Sequence, residues 1–145
     1  MQSKAPQAAG FFSDGFNCAQ AVLAVFCEKY HMDKETALKL AGGFGGGMRS
    51  GEICGAVSGA VMVIGLKYGH CEAQDKAAKL NCNSKTVEFM SLFRNKNKSV
   101  VCREILGYDL SVKEEYDQAQ NQNLFKTTCA DMVKSAVTLL EELGY

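Results

Sequence analysis

The chain has 145 residues, sixteen basic side chains against sixteen acidic ones, a single proline and seven cysteines. A chain of this length buries roughly 68–70% of its unfolded surface, so it does not need a disulfide framework to hold a core. With balanced charge and no basic block, it lacks the concentrated positive face that nucleic acid requires, which argues against nucleic acid as its main partner.

The N-terminal stretch MQSKAPQAAGFF has no apolar core of the signal-peptide kind. Residues 1–10 read as a loose segment at the start of a single helical domain spanning 1–145. From Asn17 to Tyr30, Ala21, Val22, Val25 and Phe26 recur at helical spacing, and the spacing predicts a helix there. Asp33 is placed to cap a short helix, KETALKLA, which Gly42 and Gly43 stop. CGAVSGAVMVIGLKYG is apolar on every side and reads as the buried central helix. The uncharged run Ile53–Leu66 is too short to cross a bilayer, which takes about 20 residues, so a cytoplasmic protein without membrane insertion is expected.

A polar-faced helix is expected from Glu72 to Asn95, with Asn81–Ser84 as its weak point. Ser99–Leu106 reads as a short helix closed by Gly107. Thr128–Leu143 is strongly amphipathic through Met132, Val133, Ala136, Val137, Leu139 and Leu140. No segment alternates as a strand would, and the fold class is therefore all-α: a multi-helix bundle with a glycine-rich loop before its central helix. Gly55 and Gly59 form a GxxxG on that helix, which lets a neighbouring helix approach closely. Glycine-packed faces of this kind are also compatible with a homodimer.

The stretch GGFGGGMRSGEICGAVSG, Gly42–Gly59, gathers glycines around Cys54. Glycine costs roughly 0.5–1 kcal/mol against alanine inside regular structure, so the cluster implies tight turns or close backbone approach. Gly45, Gly46 and Gly47 are candidates to present bare backbone N–H groups to a sulfur or a cofactor. Cys18, Cys54, Cys102 and Cys129 each fall in the expected first turn of a different helix. Asn17-Cys-Ala-Gln20 has the form of a capping box, and Thr128-Cys-Ala-Asp131 is cap-like. The positive end of a helix stabilises a thiolate, so Cys54 is expected to be the reactive thiolate, helped by Arg49 or Arg103. Cys27 reads as a small core residue, while Cys71 and Cys82 leave a local disulfide open. His31 and His70 read as surface residues. There is no C-x-x-C, no zinc-ribbon pair, no G-x-G-x-x-G and no Walker lysine.

The elements Asn17-Cys18-Ala19-Gln20-Ala21-Val22, GGFGGGM, CGAVSGA at 54–60, CREILG at 102–107 and Cys129 resemble the C_GCAxxG_C_C family of redox-active proteins. The likeness runs from about Gly15 to the last helix. The family's four signature cysteines fall here on Cys18, Cys54, Cys102 and Cys129, the same four that the helix starts single out. The resemblance implies redox or cluster chemistry without naming a substrate.

Three functions are then open. Four converging thiols can ligate an iron–sulfur cluster for electron transfer to a redox partner protein, or a zinc ion in the same geometry. Without metal, Cys54 can exchange disulfides with Cys18, Cys102 or Cys129 as resolving partner. The third is a structural or anion-binding helical protein whose cysteines are packing.

Overall fold

Caps and apolar stripes set the element order of the computed structural model, which describes residues 2–145. The protein is all-α, with 71% of it helical. Helix α1 (Ala5–Ser13) precedes α2 (Cys18–Ala24) and α3 (Lys34–Leu40), and the central α4 (Gly55–Tyr68) follows the glycine-rich loop. After these come α5 (Lys76–Asn97), α6 (Cys102–Leu106), α7 (Lys113–Asn121) and α8 (Ala130–Glu142). Among the described residues there is no strand beyond one isolated antiparallel bridge, Ile53 to Val101. No described helix is long and apolar enough to cross a membrane.

The central helix is where sequence dictates packing most directly. Gly55 and Gly59 lie one turn apart on α4, and α2 rests on them. A Cβ on Gly59 would stand 2.7 Å from the Ala19 carbonyl oxygen, and one on Gly55 would stand 3.1 Å from the Cys18 Cβ. Only glycine lets the two backbones meet at this distance. Around this contact Phe26, Phe89, Phe93, Leu23, Ile64 and Leu140 are fully buried. A second, smaller apolar cluster of Cys102, Leu106, Leu110 and Ala119 is joined by Tyr116, Phe125 and Cys129.

Four local expectations need correction, and one helix, α7, carries no signal in the sequence. Of the segment expected to be loose, residues 5–10 are helical: Pro6 lies in the first turn of α1, the Ser3 hydroxyl donates to Glu141 at 2.7 Å, and the Lys4 N–H donates to the same carboxylate at 2.9 Å. The helix expected over Asn17–Tyr30 ends at Ala24 and resumes as a 3₁₀ turn, Cys27–Tyr30, closed by His31 in the left-handed region. Asn81, Asn83 and Ser84 do not interrupt α5, because their side chains face solvent and do not compete with its backbone. Helix α7 has Ala119 as its only buried residue, too little apolar periodicity to be read from sequence. The last helix is entered through a wide turn, Phe125–Cys129, so Thr128 is not its cap. Other readings hold: Asp33 caps α3 through the Thr36 N–H, and Gly107 ends α6 with φ 74°.

Two glycines of α4 should respond to an added methyl in opposite ways. Gly59→Ala drives a methyl into a backbone carbonyl and should cost about 1–3 kcal/mol, as overpacking does. Gly65→Ala meets nothing within 4 Å and should stabilise the helix by up to about 1 kcal/mol. Urea unfolding of the two variants beside the parent protein measures both signs.

Candidate thiol site

Two features hold the chain around the thiols. The first is the cap of α2. The Asn17 side chain accepts from the Gln20 N–H, and the Gln20 side chain accepts in return from the Asn17 N–H. The same two side chains reach across to the α3 end: Asn17 Nδ2 donates to the Ala41 and Gly42 carbonyls, and Gln20 Nε2 donates to that of Leu38. This fixes Cys18 at the first position of α2. The second is the Ile53–Val101 bridge. The Cys54 N–H donates to the Val100 carbonyl at 2.8 Å, and the Cys102 N–H to that of Glu52 at 2.6 Å. Side chains alternate across extended backbone, so Cys54 and Cys102 share the face opposite Ile53 and Val101. Each then begins or caps a helix, α6 and α4 respectively for Cys102 and Cys54.

These devices converge. Cys18, Cys54, Cys102 and Cys129 all line one cavity of about 160 Å³, walled mainly by Phe12, Ile105, Leu106, Leu110, Phe125 and Met132. Cys18 and Cys54 belong to the main core, whereas Cys102 and Cys129 belong to the smaller cluster. The site therefore lies at the seam between the two. Cys54 and Cys102 are buried, at 6% and 7% exposure, while Cys18 and Cys129 are half-buried. Cys27 is buried in the core with its Sγ against the Ala24 carbonyl, as its place among apolar residues implied. Cys71 is exposed and Cys82 half-buried, both free thiols. His31 and His70 are exposed.

The four sulfurs differ in how their surroundings treat a negative charge. Cys54 is the main correction to the sequence argument. Burial pushes it up to about 11, although the Ala56 and Val57 N–H groups at the start of α4 pull the other way. The helix end is present, as expected, but removal from water outweighs it. Burial likewise pushes Cys102 up to about 12; the charges of Cys54, Cys129 and Asp109 add to this, and Arg49 opposes it. Arg103 is turned away, donating to the Gly51 carbonyl and pairing with Glu52. Cys129 is the one of the four held below the ordinary thiol value, because the Cys18 thiol donates a hydrogen bond to its sulfur. The same hydrogen bond, then burial and the charges of Cys54, Cys129 and Cys102, hold Cys18 well above that value. Cys129 directly precedes α8, yet no backbone N–H lowers its value, because the wide turn runs straight into the helix and the Ala130 N–H is already bonded to the Thr127 carbonyl.

The glycine run has a different purpose from the one its sequence suggested. The N–H groups at the Cys54 sulfur come from α4 itself, not from Gly45, Gly46 or Gly47. Gly45 and Gly46 do line the cavity, while Gly47 does not. Gly46, Gly47, Met48 and Arg49 form one left-handed turn, with φ between 57° and 65°. For the two non-glycine residues this conformation costs roughly 1–2 kcal/mol each.

The donor set is soft, four thiols and no other ligand type, which suits an iron–sulfur cluster or zinc. Among the described residues, however, no three His, Cys, Asp or Glu side chains are grouped as a site for a metal ion. The donor chemistry fits such a group; the spacing of the thiols does not form a ready-made site for one ion.

A helical fold that brings four separated cysteines to one cavity defines the class, an all-α domain centred on thiols. The chain belongs to the family described as "Putative redox-active protein (C_GCAxxG_C_C)", whose model matches residues 16–143. No curated protein and no solved structure matches the chain. The four signature positions were legible in sequence. The Ile53–Val101 bridge and the Cys18–Cys129 partnership were not, and the only trace of the bridge is a pair of β-branched residues, Val100 and Val101, directly before Cys102.

Alkylation separates the thiols by pH. Because the Cys129 value is lowered, its thiolate persists as pH falls below the ordinary thiol range, while Cys54 stays protonated until about pH 11. Iodoacetamide at neutral pH should therefore label Cys129 ahead of Cys54. Cys18→Ala removes the donated hydrogen bond and should move the Cys129 labelling profile to higher pH, as mass spectrometry of the labelled peptides reads.

Proposed function

We propose that this protein is a dithiol–disulfide redox protein in which Cys129 is the attacking thiolate and Cys18 the resolving thiol. The observation that carries the reading is that Cys18 and Cys129, the two half-buried thiols, line the same cavity; their mutual influence displaces their pKa values in opposite directions. Exchange proceeds by attack of a thiolate on a disulfide sulfur, and a thiol that ionises near ambient pH attacks best.

The chemistry balances as a two-electron transfer. The Cys129 thiolate attacks one sulfur of a substrate disulfide, forming a mixed disulfide and releasing the first substrate thiolate. Cys18 then passes its proton to the released substrate thiolate and attacks the Cys129 sulfur, closing a Cys18–Cys129 disulfide and releasing the second substrate sulfur as a thiolate, which takes a proton from water. The substrate disulfide is reduced to two thiols and the protein dithiol is oxidised. Cys54 and Cys102, buried and held neutral, keep further charge out of the cavity. Oxidation would also tie α2 in the main core to the wide turn before α8 in the smaller cluster.

The test is disulfide mapping after mild oxidation of the reduced protein. The expected product is a single Cys18–Cys129 disulfide. Cys129→Ser or Cys18→Ser should abolish it, and Cys54→Ser should leave it in place. A disulfide between Cys54 and Cys102, or none, would defeat the reading.

A second reading, an iron–sulfur cluster held by Cys18, Cys54, Cys102 and Cys129 for electron transfer, is favoured by one observation: all four thiols line the same cavity. When bound, such a cluster would supply one-electron chemistry, and the four thiols would be its ligands. Anaerobic reconstitution with iron and sulfide separates the two readings. Stoichiometric, visibly absorbing iron and sulfide that are lost on replacing Cys54 or Cys102 would support the cluster, whereas protein that stays colourless would support exchange.

A further inference from the structure

The thiol cavity does not end at the thiols. Three of its lining residues, Arg49, Leu110 and Tyr116, also line an adjoining groove of about 360 Å³ that is completed by Ser111, Lys113 and Asp117. The cavity alone is smaller than most small-molecule sites, roughly 300–1,000 Å³, and the open groove extends it toward solvent. A slim molecule seated in the groove would have the half-buried sulfurs of Cys18 and Cys129 ahead of it. A folded protein's disulfide would have to bring bulky backbone into the same opening.

The groove contains a cation with no counter-ion. Lys113 pairs with Asp117 at 3.0 Å, and Arg103 pairs with Glu52. Among the described residues the exposed Arg49 makes neither an ion pair nor a side-chain hydrogen bond; what it touches is an aromatic ring and a glycine. Its guanidinium carbon lies 5.7 Å from the centre of the Tyr116 ring. Its chain lies so close over Gly46 that a Cβ there would stand 3.2 Å from Nη1. The backbone beneath is strained, since Arg49 has φ 57° in the left-handed turn. The field of Arg49 also reaches inward, opposing the burial that raises Cys102.

We infer that the substrate of the thiol pair is a small disulfide bearing a carboxylate, which Arg49 binds in the groove while the disulfide sulfur meets Cys129. The inference rests on the exchange reading above and specifies its substrate class. A guanidinium offers two parallel N–H donors that match a carboxylate, and Tyr116 and Leu110 line the groove between that anion and the sulfurs. The reaction is the one already written, with the small disulfide reduced to two thiols and the Cys18–Cys129 dithiol oxidised to its disulfide. Arg49 is a substrate-binding residue and takes no part in the electron transfer.

The experiment uses fully reduced protein and three probes of similar size: dithiodiglycolate (anionic), hydroxyethyl disulfide (neutral) and cystamine (cationic). The rate of Cys18–Cys129 disulfide formation is read by quenched-flow mass spectrometry for the native protein and for Arg49→Asn. Asparagine suits the replacement because it tolerates the left-handed conformation. The quantity compared is the dithiodiglycolate-to-cystamine rate ratio, in which the probes' intrinsic reactivities cancel between the two proteins. The expected ratio falls about tenfold in Arg49→Asn, the scale of losing one charge-assisted contact. In the native protein the ratio should fall as salt is raised, because the contact is solvent-accessible. A ratio within about twofold between the proteins, or one indifferent to salt, overturns the inference while leaving the exchange reading intact. If Arg49→Asn fails to fold, the salt series on native protein alone decides. If none of the three probes forms the Cys18–Cys129 disulfide, the exchange reading fails and the inference falls with it.

Discussion

The backbone contact between α2 and α4 is the constraint on which the site depends. Gly55 and Gly59 bring α4 against Cys18 and Ala19 at a distance that no side chain would allow. That contact sets Cys18 near Cys54, although the two are far apart in sequence, and it makes the start of α4 a wall of the cavity. The cap at Asn17 and the bridge between Ile53 and Val101 then fix the neighbouring segments. Much of the glycine content around Cys54 is thus explained by packing and by one left-handed turn. The polar chemistry comes from elsewhere.

At the sulfurs, two physical effects compete and their sizes decide the outcome. A helix N-terminus is worth about 0.3–1 kcal/mol to a nearby negative charge, rising to about 2 kcal/mol in partly buried geometry. Taking a charge out of water costs several kcal/mol. At Cys54 both act, and burial wins. The net displacement to about 11 corresponds to about 3 kcal/mol against the thiolate. Cys129 escapes this because it is less buried and because a neighbouring thiol donates to it. The thiolate is therefore favoured by a partner side chain, not by the fold's dipoles, which supports the proposal that Cys129 rather than Cys54 is the reactive position.

This division explains what the sequence could disclose. Helical periodicity and caps locate α2, α3 and most of α5 and α8, because each has an apolar stripe or a polar cap at its start, and α4 stands out as an unbroken apolar run. The four relevant cysteines are legible as a set, since the spacing places each near an element boundary. What is not legible depends on contacts between distant segments. The wide turn at Phe125–Cys129 denies Cys129 a helix end, and nothing in Thr128-Cys-Ala-Asp131 reveals it. The depth of Cys54 depends on everything packed around it. Helix α7 contributes Tyr116 to the cavity from a nearly polar sequence, so no local pattern could have joined it to Arg49.

The central claim is that Cys129, not Cys54, is the first of the cavity thiols to ionise in the reduced protein. Site-resolved titration of the cysteine ¹³Cβ chemical shifts tests it most directly, since each thiol reports its own ionisation. The account predicts that Cys129 titrates first of the four cavity thiols, below the ordinary thiol range, with Cys54 following only near pH 11. A Cys54 resonance that titrates below that of Cys129 would contradict it.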